Sequence, residues 1–384
     1  MEDYNYVTDQ VSLNELQSVF RAATVVGVDL EFDKNRYAFG FNLSLVQLKI
    51  GDGIYLVDAL EIEDLSLVFE LLENKSVQKI VFAFGEDLRL LHSLQCFPKN
   101  VYDLSITSSL LDFRPCSLSS LTNMVLGVEE KESSQKSNWL KRPLSPAQLA
   151  YAAEDVRFLE ELLHNLEKDA KTRGVVDWVH EENSRYDILD YSEVQNFSPI
   201  KAKERKGLTE YQFYILESLM ELRESIAERE NKPGYHIVSK DVLLLLANGE
   251  MKLKDMFSVK GISKHFKNSF AKEAIHEILK DSSLKSKELN LSLTEPAIRK
   301  LNKEEYTSML ARKKITENII QSVLMPIKSH LKLEKGENTA SYIFSNKIMG
   351  DIAVKGLGEQ LPYKQKLIWD YGSILNLDLA LLSK

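Results

Sequence analysis

An apolar strand that carries two carboxylates is the feature that most restricts what this chain can fold into. Asp29 and Glu31 lie two apart in the segment 25–32, whose other residues are apolar or glycine. Side chains two apart on a strand point to the same face, so the two carboxylates share a face. Carboxylates are seldom buried unless they are paired or bind a metal. The pair fits an edge-strand salt bridge, and it also fits a site for a hard divalent cation, which prefers carboxylate oxygens.

A third carboxylate follows a second apolar strand. Asp87 comes shortly after the run 79–84 and stands near the predicted start of a helix. A negative charge there complements the helix dipole and needs no catalytic role. The neighbouring Glu86 competes for any site role, because the sequence does not fix which of the two faces inward. Asp87 is therefore a candidate ligand with an ordinary structural alternative.

A tyrosine and a fourth carboxylate share one face of another predicted helix. Tyr151 and Asp155 are four residues apart, which makes them neighbours on a helix surface. Ser145 and Gln148 form a capping box that specifies where this helix begins. Asp155 lies at the rim of the buried stripe, whereas Glu154 falls on the outer side. Asp155 is the candidate ligand, while Tyr151 fits either a site or a core position with its hydroxyl in water.

Composition restricts the class of protein. The chain has 384 residues, enough for about two or three domains, and no apolar run near the roughly 20 residues of a membrane span. Its two cysteines, Cys96 and Cys116, are too few for a disulfide framework or a zinc cluster, and its acidic start is unlike a secretory signal. These features predict a cytoplasmic protein. The net charge of −8 argues against nucleic-acid binding, although metal-binding carboxylates would inflate the acidic count.

Two segments are basic although the chain as a whole is acidic. One is a run that starts at residue 201, and the other is a cluster that starts at residue 260. Both fit a nucleic-acid surface, and both fit ordinary solvated surface. The candidate nucleic-acid contacts are Lys201, Lys203, Arg205, Lys206, Lys260, Lys264 and Lys267.

Strands and helices alternate over the first 180 residues, which is typical of an α/β domain. Gly51 and Gly53 separate two apolar runs at hairpin spacing, which predicts an antiparallel pair. Polar residues dominate 181–207, and helical patterns follow from Thr209 onward. The sequence therefore predicts a mixed sheet flanked by helices, followed by a linker and helical domains. The predicted strands are 24–32, 43–50, 54–57 and 79–84, and the predicted helices of this domain are 64–74, 86–95, 103–112 and 146–168.

Together, the four carboxylates and the tyrosine resemble the DEDD exonuclease superfamily, 3'-5' nucleases with an RNase H-like fold. A tyrosine four residues before the last aspartate is similar to the tyrosine subtype, since the histidine subtype would have histidine at Ala150. The segments 43–48 and 136–155 resemble the ribonuclease D family. Phe82 and Asn138 depart from the histidine and aspartate frequent in that family, and neither belongs to the metal set.

The resemblance implies a site with two Mg²⁺ or Mn²⁺ ions. Asp29 would bridge the ions, Glu31 and Asp155 would complete one of their sites, and Asp87 would hold the second ion. Tyr151 would orient the attacking water by a hydrogen bond. The implied catalytic set is thus Asp29, Glu31, Asp87, Tyr151 and Asp155.

The implied activity is a 3'-5' exoribonuclease that trims RNA 3' ends and releases 5'-mononucleotides. The expected partners are tRNA precursors or other structured RNA with a 3' tail, with no membrane partner. A DNA 3'-5' exonuclease of repair and a non-catalytic nucleic-acid-binding module are the alternatives. A nuclease tells RNA from DNA at the 2'-hydroxyl, and no motif identifies the residue that contacts it.

The resemblance also implies the order of the domains. We expect an α/β RNase H-like exonuclease domain over 1–180, a linker over 181–207, an all-α HRDC domain over 208–285 and a second HRDC-like helical domain over 295–384. Since the first domain holds every implied ligand, a fragment of residues 1–195 is expected to trim short oligonucleotides by itself.

Overall fold

The computed structural model describes residues 4–130, 134–192, 200–298 and 301–382. The chain forms two compact units, each assembled from separate stretches of sequence. The first, here called the sheet unit, comprises Met1–Glu31, Leu43–Glu193 and Tyr306–Lys384. The second, here called the helical unit, comprises Phe32–Asn42 and Val194–Glu305. Within the described ranges, we find no helix with the length and apolar character needed to cross a membrane.

One mixed sheet of six strands organises the first half of the chain. The strands are β1 (Asn5–Val7), β2 (Val25–Lys34), β3 (Phe41–Ile50), β4 (Gly53–Asp58), β5 (Gln78–Val81) and β6 (Val101–Asp103). They lie in the order β1-β4-β3-β2-β5-β6. The β3–β4 pair is antiparallel, whereas β1–β4, β2–β5 and β5–β6 are parallel. The predicted mixed α/β sheet is confirmed.

The β3–β4 hairpin forms where its glycines predict it. Ile50 pairs with Gly53, and Gly51 between them has a φ of +53°, which glycine adopts without steric cost. The sequence does not predict strands β1 and β6. Each has only three residues, too few to show an alternating pattern.

Nine helices accompany the sheet in the described residues before 193. They are α1 (Gln10–Glu15), α2 (Gln17–Ala22), α3 (Ser66–Glu73), α4 (Gly85–Ser93), α5 (Leu104–Leu110), α6 (Leu118–Leu126), α7 (Pro146–Arg157), α8 (Leu159–Arg173) and α9 (Val176–Ser184). The single helix predicted over 146–168 is two helices, because Phe158 leaves the helical region with φ −107° and ψ 7°. The apolar spacing continues across this break, and no glycine or proline marks it.

The predicted linker 181–207 contains regular structure. Helix α9 reaches into it, and a 3₁₀ turn (Arg185–Asp187) and helix α10 (Ala202–Arg205) lie within it. Residues 193–199 of that segment lie outside the described residues.

The helical unit has its own core. Its longer helices are α11 (Glu210–Arg229), α13 (Lys240–Ala247) and α15 (Ser269–Glu288), and the short α12 (Gly234–Ile237) and α14 (Leu253–Met256) lie between them. Leu219, Leu243 and Phe266 are fully buried in one cluster. The predicted boundary at 285 falls inside α15, which continues past its serines, and the Ser282 hydroxyl donates to the Ile278 carbonyl within the helix.

The last helices of the chain close the core of the sheet unit. They are α16 (Lys303–Ile319), a π-helical segment (Ile320–Leu324), α17 (Met325–Lys335), α18 (Glu337–Ile343), α19 (Asn346–Lys355) and α20 (Pro362–Ile374), followed by a 3₁₀ turn (Leu379–Leu382). Helix α18 packs on α5, and α20 packs on α9. Ile343 and Ile368 are buried in the same cluster as Leu162 of α8. The sequence predicts a separate domain over 295–384, but these apolar faces join residues from 306 onward to the sheet unit.

Candidate active site

A glycine in β2 allows a helix to approach the strand closely. Gly27 and Asp29 lie two apart on one face of β2. A Cβ atom at Gly27 would lie 3.2 Å from Leu159 Cδ1 and 3.4 Å from the Val156 carbonyl oxygen. The missing side chain therefore makes room for the junction of α7 and α8. This close approach brings the helix that carries Asp155 to the strand face that carries Asp29.

The start of α7 is fixed by the predicted capping box. Ser145 Oγ accepts a hydrogen bond from the Gln148 N–H at 3.2 Å, and Gln148 Oε1 accepts one from the Ser145 N–H at 3.1 Å. One and a half turns later, the partly buried Tyr151 packs its ring 6.2 Å from the ring of Trp139. The helix therefore presents Tyr151 and the following turn in a defined orientation.

Two glutamates that could compete for the site pair with arginines of their own helices. Glu86 lies 3.5 Å from Arg89, and both side chains are about half exposed. Glu154 lies 3.1 Å from Arg157. Asp87 is less exposed than Glu86 and stands in the first turn of α4. The sequence does not decide between Glu86 and Asp87 as the site residue, and their burial in the structure favours Asp87.

Three carboxylates meet at the centre of the site. One oxygen from each of Asp29, Glu31 and Asp155 lies within 4.8 Å of the other two, and Glu31 is only 7% exposed. The charge of Asp87 raises the pKa of Glu31, and the charge of Asp29 raises the pKa of Asp87. The four carboxylates therefore form one electrostatic group, here called the acidic cluster.

Burial raises every pKa in the acidic cluster, and repulsion between carboxylates adds to the shift at Glu31, Asp87 and Asp155. Burial raises the pKa of Asp29 from 3.8 to about 7, and burial together with the charge of Asp29 raises the pKa of Asp155 to about 8. Burial and the other three carboxylates raise the pKa of Glu31 to about 10. Burial is also the main cause that raises the pKa of Asp87 well above its ordinary value. Neighbouring anions away from water are unfavourable without a counter-charge.

A divalent cation is the counter-charge that these donors fit. All four side chains offer carboxylate oxygens, the ligands that Mg²⁺ and Mn²⁺ prefer. The described residues place no histidine or cysteine in the group whose ligand atoms lie within 4.8 Å of one another. The acidic cluster therefore suits a hard metal ion.

Tyr151 is bound to the acidic cluster. A hydrogen bond between the Tyr151 hydroxyl and Asp155 lowers the pKa of that carboxyl and opposes part of the effect of burial. The structure thus places the Tyr151 hydroxyl next to the carboxylates, the position expected of a tyrosine that takes part in the site.

The sequence does not identify Gln47 as part of the site. Gln47 is fully buried on β3, and its Nε2 lies 3.4 Å from Asp29 Oδ2. Its Oε1 has no hydrogen-bond partner within the described part of the chain. The motif 43–48 contains this residue, but an amide within an apolar strand gives no sign of which neighbour it will meet.

A buried ion pair braces the loop before α7. Arg142 Nε and Nη2 each donate to the Asp58 carboxylate at 2.6 Å, and Asp58 is fully buried at the end of β4. Arg142 also donates to the Trp139 carbonyl at 2.7 Å, and Ser44 Oγ donates to the same carbonyl at 2.5 Å. Sequence spacing cannot reveal this brace, because Asp58 and Arg142 are 84 residues apart.

The seven candidate nucleic-acid residues all lie in the helical unit. Lys203, Lys260 and Lys264 are exposed. Two others take part in local structure. Arg205 stacks 4.1 Å over the Phe213 ring, and Lys267 Nζ donates to the Val259 carbonyl at 3.1 Å. Lys201 and Lys206 are also exposed.

Two family models match separate segments of the chain. A model described as 3'-5' exonuclease matches residues 4–171, and a model described as HRDC domain matches residues 212–279. Ribonuclease D of Shewanella sp. (strain ANA-3) is 27% identical over 281 residues, which cover 71% of this chain and 71% of that protein. Ribonuclease D of Haemophilus influenzae is 37% identical over 172 residues, which cover 44% of this chain and 43% of that protein.

Solved structures share the fold over nearly the whole chain. The crystal structure of Escherichia coli RNase D, described as an exoribonuclease involved in structured RNA processing, has a TM-score of 0.69 at 21% identity and covers 97% of this chain and 99% of its own. A protein from Bifidobacterium adolescentis has a TM-score of 0.73 at 16% identity, with coverage of 97% and 96%. At these identities the likeness establishes the fold. The matched exonuclease and HRDC models and the ribonuclease D relatives support the resemblance of this chain to the ribonuclease D family of 3'-5' exonucleases.

Proposed function

We propose that this protein is a metal-dependent 3'-5' exoribonuclease that trims RNA 3' ends and releases 5'-mononucleotides. The observation that carries the proposal is the approach of Asp29, Glu31 and Asp155 to within 4.8 Å, in a place where burial raises the pKa of each. Such a cluster is unfavourable by itself and becomes favourable once cations bind. The match to the 3'-5' exonuclease model supports this reaction class.

The four carboxylates divide between two ions in this proposal. Asp29, Glu31 and Asp155 would hold one ion, and Asp29 and Asp87 would hold the second, either Mg²⁺ or Mn²⁺. Ions bound there would lower the pKa of a bound water and stabilise the charge that develops on the leaving 3' oxygen. The protein contributes fixed positions, because β2, α4 and α7 each carry buried apolar residues that anchor them.

Tyr151 orients the attacking water in this proposal. The Asp155 carboxylate binds the Tyr151 hydroxyl, and the Trp139 ring packs against the tyrosine ring at 6.2 Å. A side chain fixed at both its ring and its hydroxyl can hold a water in line with the phosphodiester bond. Its contribution in this proposal is orientation rather than charge.

RNA is the substrate that we propose, with tRNA precursors or other structured RNA carrying a 3' tail as the natural form. The support is the naming of the relatives as ribonucleases and the match of residues 212–279 to the HRDC model. In this proposal the predicted domain 208–285 and the preceding basic run bind the body of the RNA. A cytoplasmic location stays a prediction.

Matched RNA and DNA oligonucleotides of one sequence test this function. Each carries a 5' label and is incubated with purified protein and either Mg²⁺, Mn²⁺ or a chelator. We expect RNA to shorten from its 3' end in single-nucleotide steps, with labelled intermediates and free 5'-mononucleotides, only when metal is present.

The matched control is Asp155→Asn, which keeps the size of the side chain and removes its charge. We expect this variant to leave RNA intact. Faster digestion of the DNA strand would favour a repair nuclease. Binding without digestion of either strand would favour a non-catalytic nucleic-acid-binding module.

A further inference from the structure

The turn that delivers Asp87 to the acidic cluster has an unfavourable backbone conformation. Strand β5 ends at Val81, and α4 begins at Gly85. Between them Ala83 has a φ of +56°, in the left-handed region that residues with a side chain rarely adopt. A conformation of this kind persists only where the surrounding structure enforces it. The position of Asp87 therefore depends on whatever holds this turn.

Asp103 holds the turn from the neighbouring strand. Its Oδ1 accepts a hydrogen bond from the Ala83 N–H at 2.9 Å, and its Oδ2 accepts one from the Phe84 N–H at 3.1 Å. Asp103 pairs with Val81 across β5 and β6, so its carboxylate stands beside the point where β5 ends. One side chain thus binds two successive N–H groups of the left-handed turn.

The Asp103 carboxylate has no capacity left for a metal ion. Oδ1 also accepts from the Ser105 N–H at 2.8 Å, and Oδ2 also accepts from the Tyr186 hydroxyl at 2.6 Å. Two hydrogen bonds at each oxygen use the acceptor sites of an ionised carboxylate. The side chain is also only 2% exposed. Its role is therefore that of an anchor rather than of a further ligand.

Helix α9 fixes Asp103 in turn. Asn183 Oδ1 accepts a hydrogen bond from the Asp103 backbone N–H at 2.7 Å, and Asn183 Nδ2 donates to the Val179 carbonyl at 2.9 Å. Tyr186 follows α9 directly and is itself buried. Both groups that orient Asp103 thus come from one buried segment.

We infer that Asp103 is a positioning residue for metal binding: it holds the turn 82–84, and through that turn it sets the place of Asp87 in the acidic cluster. The inference rests on the proposed function, in which Asp87 is a metal ligand. Residues that orient metal ligands affect metal affinity or activity by about 10- to 100-fold when they are changed.

The test compares Mn²⁺ binding and hydrolysis in full-length variants. Asp103→Asn preserves size but places an NH₂ group against backbone N–H donors. We expect its dissociation constant for Mn²⁺, measured by calorimetry, and its Mg²⁺ requirement for RNA hydrolysis to rise about 10- to 100-fold. Tyr186→Phe keeps the carboxylate and removes one hydrogen bond, so we expect a smaller shift in the same direction.

Leu72→Ala is the control for a purely structural effect. Leu72 is fully buried on α3 and belongs to neither the turn nor its anchors. We expect Leu72→Ala to lower the unfolding temperature and leave the metal requirement unchanged. An equal shift in Leu72→Ala, or an unchanged Mn²⁺ affinity in both Asp103→Asn and Tyr186→Phe, would overturn the inference.

Asp87→Asn separates this inference from the proposed function. If Asp87→Asn weakens Mn²⁺ binding while Asp103→Asn does not, only the positioning role is wrong. If wild-type protein binds no Mn²⁺, or Asp87→Asn binds it normally, the proposed metal site is wrong, and the inference is overturned with it.

Discussion

The candidate functional charges of the sheet unit and of the helical unit differ in their exposure. In the sheet unit Glu31, Asp103 and Lys364 are buried, with exposures of 7%, 2% and 3%. In the helical unit the candidate lysines Lys203 and Lys260 are exposed. Metal-assisted chemistry needs carboxylates held in fixed places, and that requires buried partners. Binding a polyanion needs cations at the surface, where they replace its counterions. The difference teaches that the carboxylates suited to a metal ion are buried, whereas the cations suited to a polyanion stand at the surface.

The two units also differ in how their helices are used. Helices α11 to α15 bury their apolar side chains in a core of their own. The helices after residue 319 bury theirs in the core of the sheet unit, and there Lys364 forms a buried ion pair with Glu182 at 2.7 Å. The shared core argues against the expectation that a fragment of residues 1–195 would act alone, since that fragment would expose the apolar faces of α5 and α9. The C-terminal helices are thus part of the structure that supports the site.

The largest expected effect is a loss of RNA hydrolysis without a loss of RNA binding. Asp155→Asn removes one carboxylate from the acidic cluster, and we expect RNA hydrolysis to fall about a thousandfold or more. We expect RNA affinity in chelator to stay within about twofold of wild type, because the helical unit is untouched. Gel-shift titration and a hydrolysis assay on one RNA measure the two quantities. Wild-type hydrolysis in Asp155→Asn would remove that residue from the site.

A pair of core substitutions tests whether the two cores are separate. Ile368→Ala and Leu219→Ala each remove a fully buried side chain, one from α20 and one from α11. We expect each to cost about 2–5 kcal/mol of unfolding free energy, but only in its own unit. Hydrogen exchange of backbone amides reports each unit separately. Loss of protection around β5 in Leu219→Ala, or its full retention in Ile368→Ala, would contradict the assignment of the cores.

Sequence patterns identified those elements whose signal is local. The hairpin at Gly51, the capping box at Ser145 and the carboxylates of β2 all depend on residues close together in the chain. The packing of the C-terminal helices was not predictable, because an amphipathic helix shows that it has a partner but not which one. The roles of Asp58 and Asp103 were not predictable for the same reason. Each binds a partner that lies many residues away in the chain.

The pH dependence of stability separates the acidic cluster from the rest of the molecule. The raised pKa values of Asp29 and Asp155, about 7 and about 8, mean that the folded protein binds these protons more tightly than the unfolded chain does. This contribution to stability is present at low pH and is lost as the pH rises from about 4 to about 8. Its slope is at most about 1.4 kcal/mol per pH unit for each proton.

Urea titrations in chelator across that pH range measure this effect. We expect Asp29→Asn to reduce the loss of unfolding free energy as the pH rises across this range. We expect Mg²⁺ to stabilise wild-type protein more at pH 8 than at pH 5. A wild-type curve parallel to that of Asp29→Asn would contradict the electrostatic account of the cluster.

The smallest effect concerns the exposed lysines of the helical unit. We expect a variant with Lys203, Lys206, Lys260 and Lys264 changed to glutamine to bind tailed RNA more weakly. Each lost phosphate contact should reduce the slope of log affinity against log salt by about 0.7 to 0.9. Hydrolysis of a short single-stranded RNA should change little. Lys313→Gln, an exposed lysine of α16 in the sheet unit, is the matched control. An unchanged salt slope in the fourfold variant would mean that these lysines are ordinary surface.

In the proposed function, the sheet unit hydrolyses RNA and the helical unit binds it. The most direct test is single-turnover trimming of one 5'-labelled hairpin RNA with a 3' tail, measured against protein concentration. The maximal rate measures hydrolysis at the acidic cluster, and the half-saturating protein concentration measures RNA binding. We predict that Asp155→Asn abolishes the maximal rate, and that the fourfold lysine variant raises the half-saturating concentration at an unchanged maximal rate. A normal maximal rate in Asp155→Asn, or a lysine variant that loses rate but keeps its half-saturating concentration, would contradict the account.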